Sequence, residues 1–201
     1  MEPSAFAVWL DTALAAFDQS VLQAVHQIQQ SGADLLLGPL ARLMALLGKG
    51  GAALILLGLA LLCRKRTRRY GAGILLALAL GALCTNVLLK PLVARPRPYA
   101  DPAGLPYRWW LEAGAAMESD ASFPSGHTTA AMSAMTALFW LGNRQRSWTA
   151  FLFAAAMAVS RLYLVVHYPT DVLAGLIVGF AAGSLAAWLV RRFRRPAVPA
   201  P

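Results

Sequence analysis

Two histidines, one aspartate and three cations sit in sequence that is otherwise oily. Lys90 and Arg97 lie in "KPLVARPRP", His127 closes "PSGH" (124–127), and Arg161, His167 and Asp171 punctuate "SRLYLVVHYPTD". In hydrocarbon such groups are costly and mark function. Their types suit phosphoryl chemistry. Lys90, Arg97 and Arg161 offer fixed positive charge and many N–H donors to a phosphate dianion, and more to a trigonal-bipyramidal transition state. Ser125 and Gly126 follow Pro124 at a predicted helix start, where free amides and the positive helix end favour an anion. Gly126 lets the backbone come close. Imidazole can attack phosphorus or protonate a leaving oxygen near neutral pH. Pro169 stops a continuous helix between His167 and Asp171. The carboxylate can then accept the ring N–H of His167, fix its tautomer and free the other nitrogen.

Two histidines and an aspartate are also a metal-ligand set. Three surrounding cations would repel a divalent ion, so neither metal nor cofactor is expected. Glu112, Glu118 and Asp120 lie in the outer loop and could come near, but are expected simply to solvate it. Taken singly, Lys90 and Arg97 could be interfacial anchors and Arg161 a snorkelling side chain. Three clusters converging at one depth argue for a site.

The elements that must bring them together follow from composition. Of the 201 residues, 58% are hydrophobic and 13% charged; soluble domains carry about 25% charged residues. The deficit points to lipid. A formal charge of +9 raises nucleic acid as a partner. The basic residues instead form three blocks, "RKRTRR" (64–69), "NRQR" (143–146) and "RRFRR" (191–195). Such blocks read as loops and a tail on the cytoplasmic side, and no stacking or base-reading pattern accompanies them. Cys63 and Cys84 lie in apolar runs and are expected to be small buried hydrophobes. No cleavable signal peptide is expected, because Glu2 and Asp11 stand where a basic segment would be.

The fold class is all-α, a polytopic membrane bundle in a single domain over 1–195. Residues 1–33 hold an interfacial amphipathic helix: Phe6, Leu10, Leu14, Phe17, Val21, Val25 and Ile28 recur at helical steps, interrupted by Asp11, Asp18 and five glutamines. A polar extra span is the competing possibility, and His26 is expected on the polar face. The bundle, 35–190, has five expected spans at 35–63, 70–90, 125–142, 148–166 and 172–190. Each approaches the roughly 20 residues needed to cross hydrocarbon. "GKGG", with Lys49 beside it, predicts either a kink in the first span or a stretch, 34–47, that lies partly in the interface. Residues 196–201 are expected to form a disordered tail. Five spans put all three basic blocks and the C-terminus on the cytoplasmic side of the plasma membrane, and Lys90, "PSGH", His167 and Asp171 outside.

Three motifs in this order, K-x6-R-P (Lys90 to Pro98), PSGH (124–127) and S-R-x5-H-x3-D (Ser160 to Asp171), resemble the type 2 phosphatidic acid phosphatase (PAP2) superfamily. They cover about two-fifths of the chain. The resemblance implies metal-free hydrolysis of phosphate esters or anhydrides. His167 would be the nucleophile that carries a phosphohistidine, Asp171 its orienting acid and His127 the general acid. Lys90, Arg97 and Arg161 would bind phosphate, assisted by Ser125 and Gly126. A membrane lipid is the expected substrate: undecaprenyl diphosphate first, then phosphatidylglycerophosphate or phosphatidic acid. The loop 99–123, with Tyr107, Trp109 and Trp110, would help choose it. A phosphotransferase using the same histidine is the nearest alternative. A soluble haloperoxidase conflicts with five spans, and a transporter conflicts with charges gathered on one side.

Overall fold

The computed structural model describes residues 2–193, and every regular element in them is helical. Arg194, Arg195 and the expected tail lie outside the described residues. The helices are α1 (Ala5–Ala13), α2 (Ala15–Gln29), α3 (Asp34–Gly48), α4 (Ala52–Leu62), α5 (Arg68–Ala82), α6 (Lys90–Val93), α7 (Leu105–Ala113), α8 (Gly126–Leu141), α9 (Arg144–Ser147), α10 (Ala150–Tyr163) and α11 (Pro169–Arg192).

Among the described residues, three helical stretches are long and apolar enough to cross a membrane: Asp34–Leu62, Arg68–Val93 and Pro169–Arg192. The expected third and fourth spans are shorter. α8 has 16 residues and α10 has 14, so they rise roughly 24 and 21 Å, below the about 30 Å of hydrocarbon. α8 is the central helix, with buried residues on most of its surface, and α11, α5 and α10 pack around it. Large apolar side chains such as Leu35, Leu46, Leu56, Leu92, Leu152, Ile177 and Trp188 point outward. An exposed apolar surface of that extent belongs against lipid.

Small residues make the close packing. A Cβ on Gly175, Gly179 or Gly183 of α11 would come within 2.8, 2.7 or 2.4 Å of the α8 backbone carbonyls of Ser125, Thr129 and Ser133. This four-residue stripe brings α11 nearly into backbone contact with α8, as small residues do between membrane helices. It also fixes Asp171, in the first turn of α11, against Ser125, whose amide donates to the Asp171 carbonyl at 3.0 Å.

The kink expected at "GKGG" is present. Gly50 and Gly51 adopt positive φ (59° and 68°) between α3 and α4, a conformation open to glycine at little cost. Lys49 is exposed. α5 continues to Lys90 through a π-helical segment, Leu83–Leu89, a widening common beside functional sites.

The N-terminal region departs from expectation. It forms two helices that break at Leu14 (φ −111°, ψ 7°). Phe6, Phe17 and Ile28 of the expected oily face are exposed, as side chains against lipid are, but Leu10, Asp18 and Leu22 are buried in the protein. Leu22 packs with Tyr99, Trp110, Tyr163, Val165 and Val166, so α2 leans on α7 and on the turn before His167. His26 stacks on Trp109 with ring centroids 4.9 Å apart. Cys63 is exposed and Cys84 half-buried, because each lies on a helix surface rather than in the core.

α5, α8, α10 and α11 each run between a basic end and the end that carries the motif residues. Arg68 and Arg69, α9, and Arg191 and Arg192 mark the first; Lys90, His127, Arg161 and Asp171 mark the second.

Candidate active site

Two left-handed, non-glycine residues deliver the site's side chains. Ala94 (φ 51°) immediately precedes Arg95, and Val165 (φ 52°) stands two residues before His167. Such backbone costs about 1–3 kcal/mol per residue and persists where surrounding packing imposes it. Val165 is fully buried. After it the chain turns, and Pro169 occupies the first position of α11.

His167 is wholly buried. Its Nε2 faces Arg97 Nη1 at 3.4 Å. Its Nδ1 lies 3.4 Å from Ser122 Oγ and 3.6 Å from Asp171 Oδ2. Ser122 Oγ donates to the same Oδ2 at 2.5 Å. The expected direct bond from His167 to Asp171 is therefore long, and the Ser122 hydroxyl bridges the two groups. Asp171 Oδ2 also accepts from the Tyr168 amide at 2.9 Å, which caps α11. Burial pushes the His167 imidazole well below its ordinary pKa, and the charges of Arg97 and Arg161 add to the shift. The ring is thus neutral and able to attack at neutral pH.

The three cations converge, and each is nearly buried. Arg97 donates to the Val166 carbonyl at 2.8 Å and the Asp120 carbonyl at 2.9 Å. Two loop carboxylates take further donors of these cations. Glu118 bonds Arg161 through one oxygen and Arg97 through the other, the latter at 2.7 Å. Asp120 bonds Lys90 and, at 2.6 Å, Arg97. These carboxylates were expected to solvate the loop; they instead occupy the cradle. Tyr99 fixes the loop, since its hydroxyl accepts from the Glu118 amide at 2.8 Å. Burial pushes the Asp120 carboxyl up, but Lys90 and Arg97 outweigh it and hold it down to about 2. Glu118 is lowered likewise: burial opposes, and Arg161 and Arg97 prevail. Arg161 Nε remains buried without a partner among the described residues, a donor available to a further acceptor.

Ser125 is the N-cap of α8 and Gly126 its first residue. The Ser125 amide is committed to Asp171, which leaves the following first-turn amides as the donors at this helix start. Gly126 faces Lys90: a Cβ there would lie 3.9 Å from Nζ. His127 lines a cavity of about 510 Å³ together with Lys90, Glu118 and Asp120. That cavity continues along Ile55, Leu75 and Leu78 of α4 and α5, so a charged end leads into an apolar wall. Gly48 makes room for the His127 ring, which a Cβ would meet at 2.4 Å.

The structure thus gathers Lys90, Arg97, Ser125, Gly126, His127, Arg161, His167 and Asp171 at one end of the bundle. Lys49 is exposed and is not among the cavity's lining residues. Sequence reasoning missed Ser122, Asp18 and the placement of Glu118 and Asp120, and it gave Arg95, beside Arg97 in the same motif, no role. Charge density in "MESDASFPSGH" was the available signal for the last two.

In curated sequences, 32% identity over 135 residues relates the chain to undecaprenyl-diphosphatase BcrC of Bacillus subtilis, covering 66% of this chain and 64% of that protein. The match thus spans slightly under two thirds of the Bacillus protein's length. Decaprenylphosphoryl-5-phosphoribose phosphatase of Mycobacterium tuberculosis is 35% identical over 136 residues, covering 68% of this chain and 69% of the other. The crystal structure of a transmembrane PAP2 type phosphatidylglycerolphosphate phosphatase from Bacillus subtilis shares the fold, with a TM-score of 0.69 at 24% identity over 95% of this chain and 93% of that one. The profile of the PAP2 superfamily matches residues 70–195, which hold every motif position above, and this membrane chain belongs to that superfamily.

Proposed function

We propose that the protein is a lipid phosphatase of the extracytoplasmic membrane face, acting on undecaprenyl diphosphate through a phosphohistidine on His167. The cavity carries this reading: its charged end can take a phosphate while its apolar wall takes the start of a lipid chain. The Bacillus relative named for undecaprenyl diphosphate favours that substrate. Phosphatidylglycerophosphate and phosphatidic acid are the alternatives, because the cradle contacts phosphate and leaves the tail to the apolar wall.

The phosphate enters by displacing Glu118 and Asp120 from Lys90, Arg97 and Arg161. Arg161 Nε and the first-turn amides of α8 take further oxygens. His167 Nε2, the nitrogen beside Arg97, attacks phosphorus. The bond from phosphorus to the leaving oxygen breaks, and His127 supplies the proton that oxygen needs. Asp171, through Ser122 and its own Oδ2, stabilises the imidazolium character that develops. Water then attacks the phosphohistidine with His127 as base, releasing inorganic phosphate and restoring neutral His167. With the basic helix ends in the cytoplasm, the site opens on the opposite side.

The test is phosphate release from undecaprenyl diphosphate in detergent with EDTA, with phosphatidylglycerophosphate and phosphatidic acid run in parallel. The native chain is expected to release phosphate, and His167→Ala to lose at least about a thousandfold. Activity on another lipid alone would move the substrate. Activity that survives in His167→Ala would remove the mechanism. Phosphate recovered on an added acceptor lipid rather than in water would make the protein a phosphotransferase.

A further inference from the structure

Behind Asp171 lies a second charged cluster that phosphate binding does not use. Arg95 is 1% exposed, Asp18 1% and Asp171 0%. Arg95 Nη1 donates to Asp171 Oδ1 and to Thr170 Oγ1, each at 2.7 Å. Its Nη2 donates to Asp18 Oδ2 at 2.8 Å, and its Nε to Asp11 Oδ1 at 2.8 Å. Asp18 in turn accepts from the Thr170 amide at 2.9 Å and from the Thr170 hydroxyl at 2.7 Å. The Tyr168 ring covers the guanidinium at 4.0 Å. Every Arg95 nitrogen is thus engaged, and residues of α1 and α2 hold the first turn of α11 from behind.

A helix that only anchored the chain would dock more cheaply through apolar contacts. Burying charges costs free energy that their mutual attraction recovers only with complete pairing. This cluster ends on Asp171, whose other oxygen bonds Ser122 and faces His167. We propose that Asp18 and Arg95 are positioning residues for the Asp171–His167 pair, so that the N-terminal helices form part of the catalytic apparatus. Arg95 fixes the plane of the Asp171 carboxylate and takes a share of its charge. Asp18 offsets Arg95 and locks Thr170. How firmly Asp171 stabilises the imidazolium is set by the balance of the two.

The inference rests on His167 being the nucleophile, and the controls separate the two. Full-length protein in detergent is compared with His167→Ala on the lipid phosphate that the native chain hydrolyses. An active His167→Ala would sink that premise and this inference with it. With the premise standing, Asp18→Asn should lower kcat by about tenfold or more. KM and inhibition by inorganic phosphate, which report the Lys90, Arg97 and Arg161 cradle, should stay within about threefold.

The pH profile adds a readout that docking alone would not move. His167 faces Asp171 and Ser122 at Nδ1, and Arg97, Arg161, Lys90 and Glu118 around the rest of its ring. Asp171 faces Arg95, with Asp18, Asp11 and Tyr168 behind. Asp18→Asn leaves Arg95 less compensated, disfavours imidazolium and moves the acid limb of kcat/KM to lower pH. Arg95→Gln releases the full Asp171 charge and moves that limb to higher pH. Opposite shifts support the proposal. It is overturned if a folded Asp18→Asn keeps kcat within about twofold, or if kcat and phosphate inhibition are lost together with both limbs unmoved. If Asp18→Asn fails to fold, Thr170→Val decides by the same criteria. That variant keeps the branched shape and removes the hydroxyl that joins Arg95 to Asp18.

Discussion

The site has two arginine–carboxylate clusters, one in front of His167 and one behind it, and they are built differently. In front, Arg97 and Arg161 meet Glu118 and Asp120 from a loop whose Asp120 side chain is 53% exposed. Behind, Arg95 meets Asp18 and Asp171, whose side chains are no more than 2% exposed. The front carboxylates come from one loop segment and can leave together. The two buried rear carboxylates sit on α2 and α11, which would have to separate to release Arg95. On the proposed mechanism the front exchanges carboxylate for phosphate while the rear holds its geometry, which is what covalent phosphoryl transfer would need.

The largest separation between the clusters should be in stability. Arg95→Ala strands three carboxylates, two of them buried, and should cost about 3–5 kcal/mol, the usual penalty for breaking a buried ion pair. Asp120→Asn removes a half-exposed partner and should stay within about 1 kcal/mol. Thermal unfolding of both variants in the same detergent measures the contrast; equal losses would erase it.

Effects on turnover come next. Arg161→Lys keeps the charge but removes the buried Nε donor and the planar fork. A fall of about a hundredfold in kcat/KM is expected, because lysine does not replace a multidentate arginine. Glu118→Gln acts in the opposite direction. It withdraws a charged competitor from Arg97 and Arg161, so inorganic phosphate should inhibit about tenfold more tightly, the scale of one charge-assisted hydrogen bond. Weaker inhibition would mean that Glu118 helps to build the anion site rather than to occupy it.

The contrast also shows what the sequence could reveal. The front cations and His167 are legible because arginine, lysine and histidine are conspicuous in apolar sequence and the spans bring them to one end. Arg95 is as conspicuous as Arg97, but its role depends on Asp18, which was hidden for the opposite reason. In a helix studded with glutamines, Asp18 looks like one more polar interruption, and only the docking of α2 on α11 makes it buried. Ser122 was hidden because a hydroxyl bridge depends on ångström placement that no spacing encodes. The lengths of α8 and α10 were overestimated because hydropathy does not separate a lipid-facing residue from one buried among helices, as Ala131, Ala134 and Ala154 are. The kink at Gly50 was visible because backbone chemistry is local.

The smallest expected effect is on acid stability, and it separates the clusters by pH. Glu118 and Asp120 have folded pKa values below their ordinary ones, Asp120 at about 2. A depressed acid stabilises the fold above its unfolded pKa, about 4 for these side chains. That contribution fades as pH falls from about 4 toward 2, where the folded protein at last takes up the proton. Asp120 is half-exposed, so screening keeps its share small. The double variant Glu118→Gln/Asp120→Asn should therefore lose less stability between pH 4 and pH 2 than the native chain, while the two behave alike in slope from pH 7 to pH 5. The neutral His167 adds its own loss as pH falls below about 6.5, the ordinary histidine value, and from there to pH 5 it does so in both proteins. Thermal unfolding across that range measures the difference. Parallel curves below pH 4 would mean that Glu118 and Asp120 contribute nothing measurable to acid sensitivity.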